Sequence, residues 1–307
     1  MLDKIVQNVY NFPEAEIMAR KRSIRPDLSP RELAEAIGVS ESSVKRWADD
    51  GRLSAPRTAG GHRRIPRAEA VRFVRAGGLR VVRPELLGFP GAAGGGDEEA
   101  LTAALTAGDA ARALGMIAGW FLAGRSLPAI FDGPVRGAMH AIGRLWRCSD
   151  DGVFVEHRAT DICVQAVTQV RLALPPAAAR APSAVGGAPS GDPYLMGSAM
   201  AAAALRDVGL RAVNLGPDTP NDSLRAAIAR HRPRLVWLSL SSRTAAPAAA
   251  EDLPVLAEEV SAGGAVLVVG GQAALGALGG PVPEPMVLAE TMAELAALAH
   301  GLLAGPR

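Results

Sequence analysis

A ligand-binding loop is predicted within residues 184–220, where glycine, proline, serine and aspartate interrupt two apolar runs. The first apolar run leads into the loop, and a helix over 195–208 and a second apolar run follow, which is the pattern of half of a βαβ unit. In an open parallel sheet, ligands bind in the crevice at the carboxyl ends of the strands. We therefore expect residues 190–194 and 216–219 to lie on the binding side of a parallel sheet.

A second stretch is strongly basic and could bind a polyanion. Between residues 20 and 83 there are 16 Lys and Arg against 7 Asp and Glu, a local charge of +9, whereas the whole chain carries +2. A basic N-terminal block on an acidic body favours contact with nucleic acid at one end of the molecule only. A merely solvated basic face is the alternative.

Two capped helices and a hairpin are predicted to carry this basic charge. A capping box formed by Ser29 and Glu32 opens a short helix, and Ser40 caps a second helix after a three-residue turn. Helix, short turn and helix, with apolar residues on the inner side, form a helix-turn-helix. A hairpin over 53–65 and a closing helix over 66–74 complete the module.

This module resembles the winged-helix DNA-binding domain of the MerR family from residue 29 to about residue 75. Three stretches carry the resemblance: SVKRW from residue 43, GRL from residue 51 and RTAGGHRR from residue 57. The resemblance implies that the second helix enters the major groove of double-stranded DNA, and that the glycine pair lets the hairpin tip, the wing, approach phosphate. The predicted DNA-binding residues are Lys45, Arg46, Arg57, Thr58, His62, Arg63 and Arg64.

A bundle of four helices is predicted after a glycine-rich linker. Helices over 98–107, 110–123, 127–147 and 153–174 are separated by glycines, helix caps and a polar turn. Short connections between amphipathic helices favour an antiparallel four-helix bundle. The turn between the last two helices would fold one tryptophan of the third helix back towards a Glu–His pair of the fourth.

The spacing of Trp146 and the pair Glu156–His157 resembles the signature of the helical cap in light-responsive cobalamin-binding repressors of the MerR type. In that family the tryptophan stands over the upper face of the corrin, so the resemblance implies that all three side chains face a ligand. A buried tryptophan beside a satisfied Glu–His pair is the alternative. Light-sensing members place a histidine directly after the tryptophan, whereas this chain has Arg147, which cannot lose its proton to become a cobalt ligand.

The last module alternates apolar strands with helices, a pattern that predicts a doubly wound parallel sheet of Rossmann type. It resembles the cobalamin-binding domain, whose first loop reads Asp/Glu-x-His-x-x-Gly. This chain has Asp192, Tyr194 and Gly197 at the matching positions, so a tyrosine replaces the histidine that coordinates cobalt. The resemblance further assigns two loops to the channel for the nucleotide tail of cobalamin, with Ser239, Ser241 and Ser242 in one and Gly270 and Gly271 in the other.

The predicted fold class is therefore multidomain α and α/β, with a winged helix-turn-helix, a four-helix bundle and a Rossmann-like sheet. The expected divisions are an N-terminal arm over 1–28, the winged helix over 29–83, a flexible linker over 84–97, the helical cap over 98–174, a linker over 175–182 and the sheet module over 183–307. The resemblance leaves no segment for a catalytic domain, so we expect the protein not to be an enzyme.

We expect a tetrapyrrole-sensing transcriptional regulator of the repressor type, whose ligand state controls assembly as a homodimer or homotetramer and binding to DNA. Light sensitivity is typical of the family, but both histidine ligands of cobalt are absent in this chain. The first ligand alternative is cobalamin, bound weakly without a protein lower ligand or through the phenolate of Tyr194. The second is a linear tetrapyrrole such as biliverdin that hydrogen-bonds to a tyrosine and an arginine, and the third is no ligand, with a protein partner in control. A corrinoid carrier protein for methyl transfer is the other alternative.

Composition argues against several further classes. No apolar run has membrane-spanning length, and residues 1–22 lack the layout of a secretory signal, which favours a cytoplasmic protein without a membrane partner. Two cysteines, Cys148 and Cys163, are too few for a disulfide framework, and we expect them to be reduced thiols rather than ligands of a metal.

Overall fold

The computed structural model describes residues 27–91, 96–145, 152–279 and 282–304, which form three modules. Helices make up the first two modules, and a parallel sheet with helices makes up the third, which confirms the predicted fold class. The elements of the N-terminal module are β1, α1, α2, β2 and α3, which span Asp27–Leu28, Pro30–Ile37, Glu41–Asp49, Ile65–Pro66 and Arg67–Ala76.

Local signals start and stop the helices of the N-terminal module, as predicted. The Ser29 hydroxyl accepts a hydrogen bond from the backbone N–H of Glu32 at 3.2 Å, and Glu32 Oε2 accepts one from the Ser29 N–H at 2.7 Å. The Ser40 hydroxyl accepts from the N–H of Ser43 at 3.2 Å in the same way. Gly38 ends α1 with a φ of 70°, a left-handed conformation that glycine adopts without strain.

The pairing of β1 with β2 differs from the prediction. Asp27 and Leu28, at the end of the predicted arm, run antiparallel to β2, with Leu28 opposite Ile65. Leu28 is 3% exposed and Ile65 is fully buried. The arm therefore ends before residue 27, because burial of Leu28 holds this segment in a strand. The rest of the predicted arm lies outside the described residues.

The first half of the predicted flexible linker is packed against the protein. Pro84–Leu87 forms a 3₁₀ helix, and Leu87 and Phe89 are 1% and 3% exposed. The Phe89 ring packs against that of Phe121 at an interplanar angle of 51°, with centroids 6.0 Å apart. The prediction of a flexible linker was wrong for this half, because two large apolar side chains are buried there.

The helical module forms a bundle, but its third helix is broken. Its helices α4 to α8 span Glu98–Ala107, Ala110–Leu122, Leu127–Ile130, Arg136–Leu145 and Gly152–Ala173. Residues Phe131–Val135 form a π-helical turn between α6 and α7, with Pro134 inside it. Proline lacks the N–H that a continuous α-helix requires, so the single helix predicted over this stretch was wrong.

The N-terminal and helical modules share one hydrophobic core. Buried side chains of both modules form a continuous cluster that runs from Leu33 and Val74 to Phe121 and Val167. At the junction, Arg75 Nε donates to the backbone carbonyl of Phe121 at 3.1 Å, and the Arg75 guanidinium lies 4.0 Å from the centre of the Phe121 ring. The two modules therefore pack as one body.

The third module is a five-stranded parallel sheet with the order β4-β3-β5-β6-β7. Strands β3 to β7 span Ser183–Gly187, Arg211–Asn214, Leu235–Ser239, Val266–Gly270 and Val287–Ala289, and helices α9 to α13 span Met196–Val208, Asn221–His231, Ala246–Ala262, Ala274–Leu278 and Met292–Ala304. Separate apolar clusters lie on the two faces of the sheet. This is the doubly wound arrangement that the alternating pattern predicts.

Polar contacts join the sheet module to the other two modules. Arg75 of α3 forms two hydrogen bonds with the Asp207 carboxylate of α9, at 2.9 and 3.2 Å. Asp132 of the π-helical turn accepts from the N–H groups of Met292 and Ala293, both at 2.9 Å, and so caps α13 from another module. The Arg75 side chain, which belongs to the N-terminal module, therefore contacts both of the other modules.

None of the described helices is long and apolar enough to cross a membrane. Cys163 is buried in the helical module, and burial raises the pKa of its thiol to about 12, so the group is a protonated thiol. Cys148 lies outside the described residues.

Candidate functional site

The wing is a tight hairpin at the end of the N-terminal module. The Thr58 N–H donates to the His62 carbonyl at 2.8 Å, and Arg57 and Arg63 face each other as an antiparallel bridge. Gly61 has a φ of 80°, which a side chain would strain. The predicted hairpin is therefore present, although it is held by this isolated bridge rather than by an extended ladder.

Most of the predicted DNA-binding residues are exposed. Lys45 and Arg46 on α2 and Arg57, Thr58 and His62 in the wing are exposed, and Arg64 is half-buried. A cavity of about 400 Å³ lies between the start of α1, α2 and the wing, lined largely by polar and basic groups. The arrangement gives a recognition helix and a wing that a polyanion can contact together.

Arg63 differs from the other predicted contacts, because its side chain is used within the protein. Its guanidinium forms an ion pair with Asp49 of α2, donates to Asp49 Oδ2 at 3.2 Å and donates to the carbonyl of Lys45 at 3.1 Å. The Arg63 side chain is 14% exposed. The hydrogen bond from Arg63 lowers the pKa of Asp49. Arg63 therefore holds the wing against the recognition helix.

The loop after β3 is tied to the loop after β5 by a buried carboxylate. Asp192 is fully buried, and its Oδ2 accepts from the N–H groups of Ser241 and Ser242 at 2.6 and 2.8 Å. Its Oδ1 accepts from the N–H of Tyr194 at 3.1 Å. The side chain predicted to bind ligand thus positions both loops at the carboxyl edge of the sheet.

The other predicted residues of the first loop lie at the same edge. Tyr194 is 45% exposed, so its phenol is available to a ligand. Gly197 lies against the end of β5: a Cβ built on it would be 2.5 Å from Ser239 Oγ and 3.4 Å from Ser241 Oγ. The edge loops therefore come together as predicted, and glycine at position 197 is needed for their contact.

The glycine pair after β6 also allows a close approach of backbone. Gly271 has a φ of 102°, and a Cβ there would clash with the backbone of Leu240 in the loop after β5. A Cβ on Gly270 would be 2.5 Å from the Ala289 carbonyl oxygen. Ser239 and Ser242 are both 5% exposed. These residues shape the edge, and their small size is what the packing requires.

Three side chains joined by hydrogen bonds lie directly below this edge, and none of them was predicted as part of the site. The indole Nε1 of Trp237 donates to Ser198 Oγ at 3.2 Å, and Ser198 Oγ donates to Asn214 Oδ1 at 2.6 Å. Trp237 belongs to β5, Ser198 to α9 and Asn214 to β4. The sequence signal for this network was Trp237, a large residue with a polar N–H in a strand of mainly aliphatic residues.

Helix α8 packs beside α9 and is the longer of the two helices. Its last turns lie beside those of α9, since Arg206 of α9 donates to the carbonyl of Leu174 at 3.2 Å and lies near Arg171. Helix α8 has 22 residues and α9 has 13. Because the two helices pack along each other, the first turns of α8 project about 14 Å beyond the start of α9, at a rise of about 1.5 Å per residue.

Two of the predicted cap residues lie on this overhanging part of α8. His157 is exposed, Glu156 is half-buried, and His157 Nε2 is 3.6 Å from Glu156 Oε2. The Thr160 hydroxyl donates to Glu156 Oε1 at 3.1 Å. The exposed aromatic Phe154 lies on the same overhang and was not predicted as part of the site. Trp146 and Arg147 lie outside the described residues.

Two protein families match separate parts of the chain. Residues 28–80 match the family described as helix-turn-helix domain, and residues 97–171 match the family described as B12 binding domain. No curated protein matches the chain.

Three solved structures with similarity to the chain are corrinoid or cobalamin proteins. The monomethylamine corrinoid protein of Methanosarcina barkeri is 17% identical and aligns over 66% of this chain and 96% of that one, with a TM-score of 0.49. The methanol:cobalamin methyltransferase complex of the same organism is 18% identical over 68% and 80%, with a TM-score of 0.34. A cobalamin-binding protein of Desulfitobacterium hafniense is 17% identical over 67% and 98%, with a TM-score of 0.33.

The order of the modules agrees with the two family matches. The helix-turn-helix match covers the N-terminal module, and the B12 binding match covers nearly all of the helical bundle. The five-stranded parallel sheet follows the bundle. The chain therefore joins an N-terminal helix-turn-helix domain to a B12 binding domain that is followed by a Rossmann-like module.

Proposed function

We propose that the protein is a DNA-binding regulator of transcription that senses a tetrapyrrole held between the overhang of α8 and the carboxyl edge of the sheet. The overhang is the observation that carries the proposal. In this proposal the ligand lies between His157 of the overhang and Tyr194 of the edge loop, which are both exposed. An open parallel sheet provides a ligand crevice at this edge. The match of the bundle to the B12 binding domain family supports a tetrapyrrole as the ligand class.

Double-stranded DNA is the second partner in this proposal, bound in the manner of the MerR family. Lys45 and Arg46 are exposed on α2, where a helix in the major groove presents its side chains to base edges. Arg57 and His62 are exposed in the wing and suit contacts with the neighbouring phosphates. The exposure of these four side chains on α2 and the wing supports the assignment.

The residues at the edge do not fit a corrinoid whose cobalt is coordinated by the protein. In the resemblance to the cobalamin-binding domain, Tyr194 takes the position of the histidine that coordinates cobalt, and a phenol must lose its proton before it can coordinate a metal. A tetrapyrrole without a protein–metal bond suits the site better, either a corrinoid that lacks a protein lower ligand or a linear molecule such as biliverdin.

The ligand is proposed to act on assembly, so that its binding changes whether copies of the chain form dimers or tetramers and thereby changes repression. A ligand can shift such an equilibrium only through unequal affinity for the two assemblies. The proposal extends to light, because tetrapyrroles absorb visible light and a bilin needs no cobalt–carbon bond to respond to it.

Absorption spectra of the purified protein, recorded in darkness with biliverdin and with cobalamin, test the ligand class. We expect a shifted spectrum and saturable binding for biliverdin, and weak binding for cobalamin. Tyr194→His should strengthen cobalamin binding and leave biliverdin without a gain, because a neutral imidazole can coordinate cobalt. Val255→His, at an exposed position on α11, is the matched control. If the protein changes the spectrum of neither compound, the proposed function is wrong.

A further inference from the structure

The space between α9 and the sheet, directly below the first loop, is walled by small residues. Gly186 of β3 forms the floor, and Ser198 and Ala202 of α9 form the roof, both fully buried. Small residues on facing elements leave a slot between the helix and the strands. In this protein the slot is filled by a side chain of the chain itself, the indole of Trp237.

The position of the indole follows from the register of the sheet. Gly186 pairs with Trp237 across β3 and β5, and a Cβ built on Gly186 would be 2.5 Å from Trp237 Cγ. The ring therefore lies across Gly186, which only glycine permits. Trp237 is 2% exposed, and its hydrogen bond to Ser198 fixes the indole under α9. Packing and a hydrogen bond together hold the ring in the slot.

The way into the slot from the carboxyl edge is also narrow. The first turn of α9 lies against the end of β5, since Gly197 has no room for a Cβ beside Ser239 Oγ. The buried Asp192 carboxylate ties the loop before α9 to the backbone of Ser241 and Ser242. A molecule at the edge therefore meets closed loops and, below them, a filled slot.

The nucleotide tail of cobalamin ends in a benzimidazole, a fused five- and six-membered ring of nearly the size of an indole. We infer that Trp237 occupies the place that such a base would need, so that the protein selects tetrapyrroles that bind without burying a nucleotide tail. This inference rests on the proposed function, because it concerns the same edge. Trp237 is thus a specificity-determining residue that acts by filling space.

Cobinamide, a corrinoid without the nucleotide base, is the probe that isolates this feature. The dissociation constants of cobinamide and cobalamin for the wild-type protein are measured by absorption titration in darkness, with biliverdin as a third ligand. We expect cobinamide to bind as tightly as cobalamin or more tightly, because the base adds no buried contact. Cobalamin binding more than about tenfold tighter than cobinamide, about 1.4 kcal/mol, overturns the inference and leaves the proposed function intact. Binding of none of the three ligands overturns both.

A variant that empties the slot gives the second measurement. Trp237→Ala should tighten the binding of cobalamin at least about tenfold relative to that of cobinamide, because a benzimidazole can then enter the slot. Leu238→Ala is the matched control, since its side chain packs in the cluster on the opposite face of the sheet. If Trp237→Ala does not fold, Trp237→Val keeps a strand-forming residue and still shortens the side chain. An unchanged cobalamin-to-cobinamide ratio in a folded variant contradicts the inference.

Discussion

At the scale of single residues, burial separates side chains that contact a partner from those that hold the site in shape. Arg63 and Asp192 were both predicted to bind a partner, and both are used inside the protein, by Asp49 and by the backbone of Ser241 and Ser242. Their residue types suit either role, since a guanidinium pairs with phosphate or carboxylate. The sequence alone does not distinguish the two roles, because the distinction depends on distant residues.

The role of Arg63 leads to a test at Asp49. If Arg63 holds the wing, Asp49→Ala should weaken DNA binding, although the substitution removes a negative charge near the DNA. Loss of an exposed phosphate contact, as in Arg57→Ala, should instead lower the slope of log affinity against log salt by about 0.9. Both quantities are measured by fluorescence anisotropy at several salt concentrations. Tighter DNA binding by Asp49→Ala would show that Arg63 is a direct contact.

The same pair has a defined pH dependence. The hydrogen bond from Arg63 lowers the pKa of Asp49, so the carboxylate stays charged throughout the neutral range. Its stabilising contribution is present above the ordinary aspartate pKa and is lost as the pH falls through the lowered value. The orientation of the wing should therefore not change between neutral and weakly acidic pH.

At the scale of elements, local signals were predicted well and long-range packing was not. Ser29, Glu32 and Ser40 predicted where the two helices of the helix-turn-helix begin, because caps act within one turn of the chain. The alternation of apolar runs predicted the parallel sheet in the same way. The β1–β2 pair and the docking of Phe89 were missed, since each depends on partners that are remote in sequence. The overhang of α8 was missed for the same reason.

The ion pair between α3 and α9 is the contact between modules that we expect to matter most. The Arg75 and Asp207 side chains are 16% and 17% exposed, and both oxygens of Asp207 are bonded. Asp207→Asn should lower the free energy of unfolding by about 1–3 kcal/mol, because a largely buried guanidinium loses its charged partner. Chemical denaturation of the two proteins measures the difference.

The control for this substitution is an exposed ion pair on α1. Arg31 pairs with Glu35 at 3.1 Å, and the two side chains are 78% and 40% exposed. Arg31→Ala should change the stability by no more than about 0.5 kcal/mol, as is typical of exposed helical pairs. If Asp207→Asn has an equally small effect, the ion pair does not hold the modules together.

At the scale of the whole molecule, helix α9 connects the two candidate sites. Its first turn follows the edge loop with Tyr194, and its last turn carries Asp207, which bonds to Arg75 of the helix-turn-helix module. Helix α3 also shares a core with the bundle, whose helix α8 packs along α9. A ligand that moves α9 or α8 therefore acts on the DNA-binding module through packed contacts rather than through a free linker.

Coupling between the two sites is measured most directly as the affinity for DNA with and without ligand. A duplex is first selected by the protein from a random-sequence pool, and its dissociation constant is then determined at fixed salt in darkness. Saturating biliverdin or cobinamide should change this constant by at least about fivefold, the lower end of ordinary allosteric coupling. An unchanged constant, with ligand binding confirmed spectroscopically in the same sample, would contradict a tetrapyrrole-sensing regulator.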